Sequence, residues 1–312
     1  MAGGGAGGAF VIPANLAATV VAWEGDNGRE WLERLPGIVG DLVAAWNLQL
    51  GPPFEPGGNI SWVAPARRRS DGLEAVLKVQ HPHPESDPEA AGLRAWAGGG
   101  AVRLLDHDPD RCGLLLERCR PGTALVDEGG TREAVRAGAG LGARLHSTAP
   151  PEGLPTLADV LDLWADELEP RLEDAPLGDA GLGRLVVETM RTRPRSCTAP
   201  VLLHGDLNPT NILSAEREPW LAIDPKPVLG DAAYDGPRLV LQPDPLQQPD
   251  PTATLLERLA IVSEVMVVDR EALIAWCLVG AIEMGAWARS HGDVEAAARG
   301  AAHAALIAPH LA

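Results

Sequence analysis

Apolar positions recur at helical spacing through residues 29–50, where Trp31, Leu35, Ile38, Val39, Leu42, Val43 and Trp46 share one face. The spacing predicts an amphipathic helix that tolerates Pro36 and stops at Gly51-Pro52-Pro53. The period then shortens. Ile60–Ala66 and Glu74–Gln80 read as strands flanking a loop with an Asp71-Gly72 hairpin signal. A short helix is expected over 88–97, and AVRLLDHDPDRCGLLLERC reads as strand, turn and strand. Beyond Pro121-Gly122 the helical period returns, over 131–147, 156–173, 182–192, 252–266 and 270–289, interrupted by a strand-rich island at 201–224. Residues 1–9, nearly all Gly and Ala, read as a flexible tail. The contrast predicts an α+β chain of two lobes, β-rich over 1–117 and mostly helical over 118–312, with the joint near Glu117–Arg120.

Charge narrows the choice of partner. The 26 basic residues face 43 acidic ones, a formal net charge of −17. Such a surface repels phosphate backbones, which argues against general nucleic-acid binding, and it attracts cationic small molecules. The four cysteines are scattered without metal-ligand spacing, as expected of reduced thiols in a cytoplasmic protein. The N-terminal stretch has no basic residue before Arg29 and does not read as a secretory signal. The most apolar helix segment, residues 272–282, is too short for a bilayer, so a buried core helix and no membrane partner are expected.

The chemistry concentrates in LLHGDLNPTNILS, Leu202–Ser214. His204, Asp206 and Asn211 have the spacing of a kinase catalytic loop, H-x-D-x-x-x-x-N, in which the Asp takes the proton of the attacking hydroxyl and the Asn holds a metal ion. A second acid is needed on the next short strand. WLAID supplies Asp224, thirteen residues after Asn211. An Asx-rich turn without chemistry is the competing reading of the loop alone.

VLLHGDLNPTNIL followed by LAIDPKPVLGDAAYD resembles the aminoglycoside phosphotransferase superfamily, and is most similar to its streptomycin 6-phosphotransferase/hydroxyurea phosphotransferase branch. AVLKVQHP, EAAGLRAWAGGGAVRLLDHD, LLLERCRPGTAL and LGARLHS agree, so the resemblance runs in family order over roughly residues 57–240. It implies a bilobal protein-kinase-like fold, ATP and Mg2+ as cofactors, and phosphoryl transfer to a small hydroxylated acceptor, foremost the 6-hydroxyl of streptomycin. Hydroxyurea, a sugar or a biosynthetic intermediate are the other acceptors, and a nucleotide-binding pseudokinase is the reading from another class.

The resemblance also implies roles. Asp206 is the base; Asn211 and Asp224 are the magnesium ligands. His204 orders the loop, and Asp231 and Asp235 stabilise it without chemistry. Lys226 either approaches a phosphate or is a surface lysine. Lys78, between apolar neighbours in VLKVQ, either neutralises nucleotide phosphates with Glu89 holding it, or guards a strand edge. Glu89 is otherwise a favourable first-turn acid. The loop Pro56–Ser61 with Gly58 is positioned to cover phosphates, or is a glycine turn. Glu117 and Cys119, at the joint, present backbone groups to adenine. His81 and His83 lack further ligands and read as a solvated loop.

For the acceptor, the 156–173 helix places Asp162, Asp166 and Glu169 opposite its apolar face of Leu157, Val160, Leu161, Trp164 and Leu168. That stripe either binds the guanidinium groups of streptomycin or is a solvated face. Asp159 reads as the partner of Thr156 in a capping box. Glu283 interrupts an apolar helix and needs a partner, which is either an arginine or a cationic substrate.

Overall fold

A computed structural model describes residues 10–83, 86–175 and 177–311, with the side chains of Ser86 and Asp87 left out. The Gly/Ala stretch 1–9 and Pro84 of the His-Pro-His-Pro segment lie outside the described residues. The chain divides into two compact units, Met1–Ala90 with Val102–Arg118, and Ala91–Ala101 with Cys119–Ala312.

The first unit is one helix against one sheet. Helix α1 (Ala14–Ala45) is longer at its start than the apolar period predicts, and it bends at Gly25, where φ is 58°. Residues 48–50, expected to continue it, instead form strand β1 (Leu48–Leu50), because the chain turns at Asn47 in the left-handed region, φ 51°. Asn tolerates that conformation better than most side chains and ends helices for the same reason. Strands β2 (Ser61–Arg68) and β3 (Glu74–Gln80) pair as the expected antiparallel hairpin. The Asp71 carboxylate accepts from the Leu73 N–H in its turn.

Helix α2 (Ser86–Trp96) follows, then β4 (Leu104–Asp108) and β5 (Gly113–Glu117), giving the sheet order β1-β2-β3-β5-β4. Alternation along the strands sorts the faces. Trp62, Ala64, Ala66, Ala75, Leu77, Val79 and Leu115 turn toward Leu16, Val20, Trp31, Leu35, Val39 and Leu42 of α1, and together they form the unit's core. Lys78 and Gln80 fall on the other sheet face, and both are buried.

The second unit is helical around two short ladders. Residues 91–101 belong here because Trp96 Nε1 donates to the Leu145 carbonyl at 3.2 Å, the Ala222 N–H donates to Gly100 at 2.8 Å, and Arg217 donates to the Gly98 and Ala101 carbonyls. Helices α3 (Arg132–His146), α4 (Leu157–Asp174) and α5 (Ala180–Ser196) come first. The expected capping box opens α4, with Thr156 and Asp159 exchanging bonds at 3.2 Å.

Strands β6 (Val201–Leu203), β7 (Ile212–Ser214), β8 (Trp220–Ala222) and β9 (Val228–Gly230) pair as β6-β9 and β7-β8. Helices α6 (Pro237–Leu241), α7 (Pro251–Met266), α8 (Arg270–Ser290) and α9 (Val294–Ile307) complete the unit. The sequence pattern did not separate α6, which is a single turn, or α9, whose alanine-rich face carries little periodic signal. Helix α8 is, among the described residues, the one long and apolar enough to cross a bilayer, and 67% of its apolar window is buried inside the protein. Leu273, Trp276, Cys277 and Ile282 make it the core of this unit.

Candidate active site

In the first unit, Lys78 Nζ lies 2.6 Å from Glu89 Oε2, and the two side chains are only 6% and 1% exposed. Gln80 Nε2 donates to the same oxygen at 2.7 Å. Strand alternation explains this: Lys78 and Gln80 are two apart on β3, so both reach the acid on α2. The Gly58 loop is tied down one residue earlier, where the Asn15 side chain bonds both the N–H and the C=O of Gly57 at 3.1 and 2.8 Å. A Cβ on Gly58 would come within 2.9 Å of the Ser61 carbonyl oxygen. The Glu117 carboxylate folds back to accept the Arg103 N–H at 3.0 Å.

In the second unit the loop after β6 is fixed from below. The Asp235 carboxylate accepts the N–H groups of His204 and Gly205, each at 2.8 Å, and meets His146 Nε2 at 2.8 Å. Burial of Asp235 opposes its charge, but His146 and the loop amides win and hold its carboxyl below the usual range. His204 is fully buried. Its Nε2 faces the Ile223 carbonyl at 3.1 Å and its Nδ1 accepts the Asp206 N–H at 3.3 Å, which defines the neutral Nε2–H tautomer. Desolvation lowers its pKa and favours the same neutral form.

Gly205 has φ 79°, and a Cβ there would lie 2.0 Å from the Lys226 carbonyl oxygen. The glycine of His-Gly-Asp is therefore required by a close backbone approach.

Asp206 emerges from this support partly exposed. Asn208 Nδ2 donates to its Oδ1 and Asn211 Nδ2 to its Oδ2, both at 3.1 Å. The two amides hold the carboxylate in one orientation. The Asn208 side-chain Oδ1 accepts the Thr210 and Asn211 N–H groups, a cap that turns the chain into β7. The β7-β8 register continues through the Ile223 N–H bond to the Asn211 carbonyl at 2.8 Å, so Asn211 and Asp224 flank one end of the hairpin. Asp224 is exposed and adopts φ 54°, a conformation uncommon outside glycine.

Asn211 commits its Nδ2 to Asp206, leaving the amide oxygen beside a hairpin end that also carries a carboxylate. An amide oxygen and a carboxylate suit a hard cation that takes its remaining ligands from phosphate and water. Consistent with that sparse set, no group of three His, Cys, Asp or Glu side chains among the described residues is arranged as a metal site.

Asp206 lines a pocket enclosing about 700 Å³ of empty space, its open mouth included, together with Glu283 of α8, Arg238, Tyr234, Trp276 and Trp164. Lys226 also lines it. A second pocket, about 590 Å³ on the same measure, shares Trp164 and Glu283 with the first. Asp162 and Asp166 line neither pocket. They pair with Arg195 and Arg191 of α5, so the acidic stripe of α4 meets a basic stripe of the next helix.

His146, Arg238 and Trp276 had no role in the sequence reading. They lie 89, 32 and 70 residues from their contacts or from Asp206, and no short-range pattern marks them; the 89 is the His146–Asp235 separation.

A buried Lys–Glu pair on strand and helix, with an Asp–Asn loop and a second Asp on a hairpin, defines a kinase-fold phosphotransferase. Residues 49–292 match the family model described as aminoglycoside/hydroxyurea antibiotic resistance kinase, and the chain belongs to that family. It is 36% identical over 280 residues to the streptomycin 6-kinase of Streptomyces glaucescens, covering 88% of this chain and 90% of the relative. It is 38% identical over 290 residues to the hydroxyurea phosphotransferase of Kitasatospora aureofaciens, covering 91% and 82%. Among solved structures, the choline kinase LicA of Streptococcus pneumoniae shares the fold with a TM-score of 0.61 at 13% identity, covering 87% of this chain and 99% of that one.

Proposed function

We propose that this chain transfers the γ-phosphoryl group of ATP to the 6-hydroxyl of streptomycin and so inactivates the antibiotic in the cytoplasm. The observation that carries the reading is Asp206, a carboxylate held by two amides on the wall of a pocket that it shares with Glu283, Arg238 and Tyr234. Streptomycin 6-kinase is the function named for a relative that is 36% identical over nearly the whole chain.

In the reaction Asp206 accepts the proton of the attacking hydroxyl as the new O–P bond forms and the bond to the ADP oxygen breaks. Asn208 and Asn211 keep the carboxylate turned toward the acceptor, and Asp235 and His146 keep the loop from moving under it. Asn211 and Asp224 would hold Mg2+, which supplies charge neutralisation on the phosphates. Lys78, fixed by Glu89, would neutralise the nucleotide phosphates, with Gly58 allowing close backbone approach. Glu117 and Cys119 would contribute backbone groups to the base, since the Glu117 side chain is already spent on Arg103. The proposed acceptor is a cationic small molecule, a choice that the charge of −17 supports, since such a surface attracts cations and repels nucleic-acid phosphates.

A coupled ADP-release assay with Mg-ATP tests this on streptomycin, kanamycin-type aminoglycosides, hydroxyurea and simple sugars. Turnover on streptomycin that disappears in Asp206→Ala supports the proposal. Turnover on hydroxyurea alone transfers the assignment to the function named for the 38% relative. Nucleotide binding without turnover on any acceptor selects a pseudokinase.

A further inference from the structure

Glu283 stands out among the carboxylates of the second unit. It sits on the apolar helix α8, is partly buried, and lines both pockets. Asp162, Asp166 and Glu169 all have arginine partners on α5, and Asp235 has His146. Among the described residues, Glu283 makes no hydrogen bond and no ion pair. Arg238, Arg171 and Lys226 attract it only at longer range, and burial outweighs them and raises its pKa. Arg171 is moreover engaged with Glu167 at 3.0 Å. A carboxylate desolvated without a partner is unfavourable unless a ligand supplies the counter-charge.

Its surroundings specify that ligand. Trp164 lines both pockets beside it, Trp276 and Tyr234 line the first, and Trp287 lines the second. Indole and phenol faces attract cations, above all planar guanidinium groups.

We propose that Glu283 is the cation-recognising residue of the acceptor site. It binds a guanidinium or ammonium group of the acceptor at the wall shared by the two pockets, against the Trp164 ring, while the hydroxyl to be phosphorylated reaches Asp206. The inference rests on the reading of Asp206 as the base, and it makes Glu283 the residue that separates cationic acceptors from neutral ones.

Calorimetric titration of streptomycin into the wild-type protein, Glu283→Gln and Glu283→Asp tests it, alongside steady-state kinetics and a melting curve for each. Loss of a charge-assisted bond predicts roughly 10–100-fold weaker binding in Glu283→Gln. KM should rise by a similar factor with kcat within about three-fold, the signature of lost binding common to ground and transition states. Glu283→Asp should regain part of the affinity, and the melting temperature of Glu283→Gln should equal or exceed that of the wild type, because an unpaired buried charge has been removed. Glu283-dependent binding without ADP release would sink the catalytic reading, and with it the acceptor-site assignment, leaving Glu283 as a cation-binding residue alone. Wild-type affinity in Glu283→Gln, a fall in kcat at constant KM, or no binding of streptomycin by the wild type would each overturn it.

Discussion

Neutralising Glu89 tests whether the strand lysine serves chemistry or architecture. Nζ of Lys78 and Oε2 of Glu89 are 2.6 Å apart in a nearly solvent-free setting. At an effective dielectric near 20 their attraction is about 6 kcal/mol. Desolvation consumes several kcal/mol for each ion, so the intact pair adds little net stability. Removing one charge is different. Glu89→Gln strands the ammonium without its Glu89 counter-charge, at about 3–5 kcal/mol, a fall in Tm on the order of 10 °C.

The double variant Lys78→Met/Glu89→Gln removes both charges, and the amide introduced on α2 still offers an oxygen to Gln80. Its Tm should return to within about 3 °C of the wild type. Activity should not follow. A thioether cannot neutralise phosphate, so kcat/KM for ATP stays roughly 10–100-fold down or lower. Differential scanning fluorimetry and the ADP-release assay read the two quantities on the same samples. A double variant that regains both stability and turnover would show that the pair is architectural. An unchanged Tm in Glu89→Gln would refute the energetic argument itself.

Other perturbations address the loop. Asp206→Asn should lower kcat by about 10²–10⁴-fold with little change in Tm, and a residual rate within ten-fold of wild type would remove Asp206 as the base. Gly205→Ala drives a Cβ into the Lys226 carbonyl and should abolish turnover, whereas Gly153→Ala, with φ 82° but open space around it, should cost only about 1–2 kcal/mol of backbone strain and leave turnover intact. His204 has a depressed folded-state pKa, so the unfolded chain binds its proton first and stability falls as pH drops below about 6.5. His204→Gln should flatten that slope, by no more than the one-proton limit of about 1.4 kcal/mol per pH unit, read from denaturant melts below pH 6.5. Asp162→Asn should leave the KM for streptomycin unchanged, since the Arg195 pair it breaks lies outside both pockets; a marked rise would return the α4 stripe to the acceptor site.

The sequence by itself determined the kinase-like fold and the local machinery. His204, Asp206 and Asn211 lie within eight positions, so one turn fixes their relation, and the β7-β8 hairpin carries Asp224 back by its own register. Lys78 and Glu89 are eleven residues apart across one strand and one helix, close enough for sequence logic to pair them.

What tertiary packing decided is which face of each element finds a partner. The acids of α4 look available in the sequence, but α5 lies against them and brings Arg191 and Arg195, a juxtaposition set by helix packing and not by spacing. Glu283 looks like a polar interruption of a core helix, and only the folding of α4 and α8 around a shared pocket places it on the wall of both pockets without a hydrogen-bonded partner among the described residues. Asp235 holds the His204–Asp206 loop from 30 residues away, and His146 holds Asp235 from 89. Local pattern encodes the reach of one or two elements. The supports of Asp206 and the walls of the pocket beside it come from elements brought together by burial of apolar surface, which is largely indifferent to sequence separation.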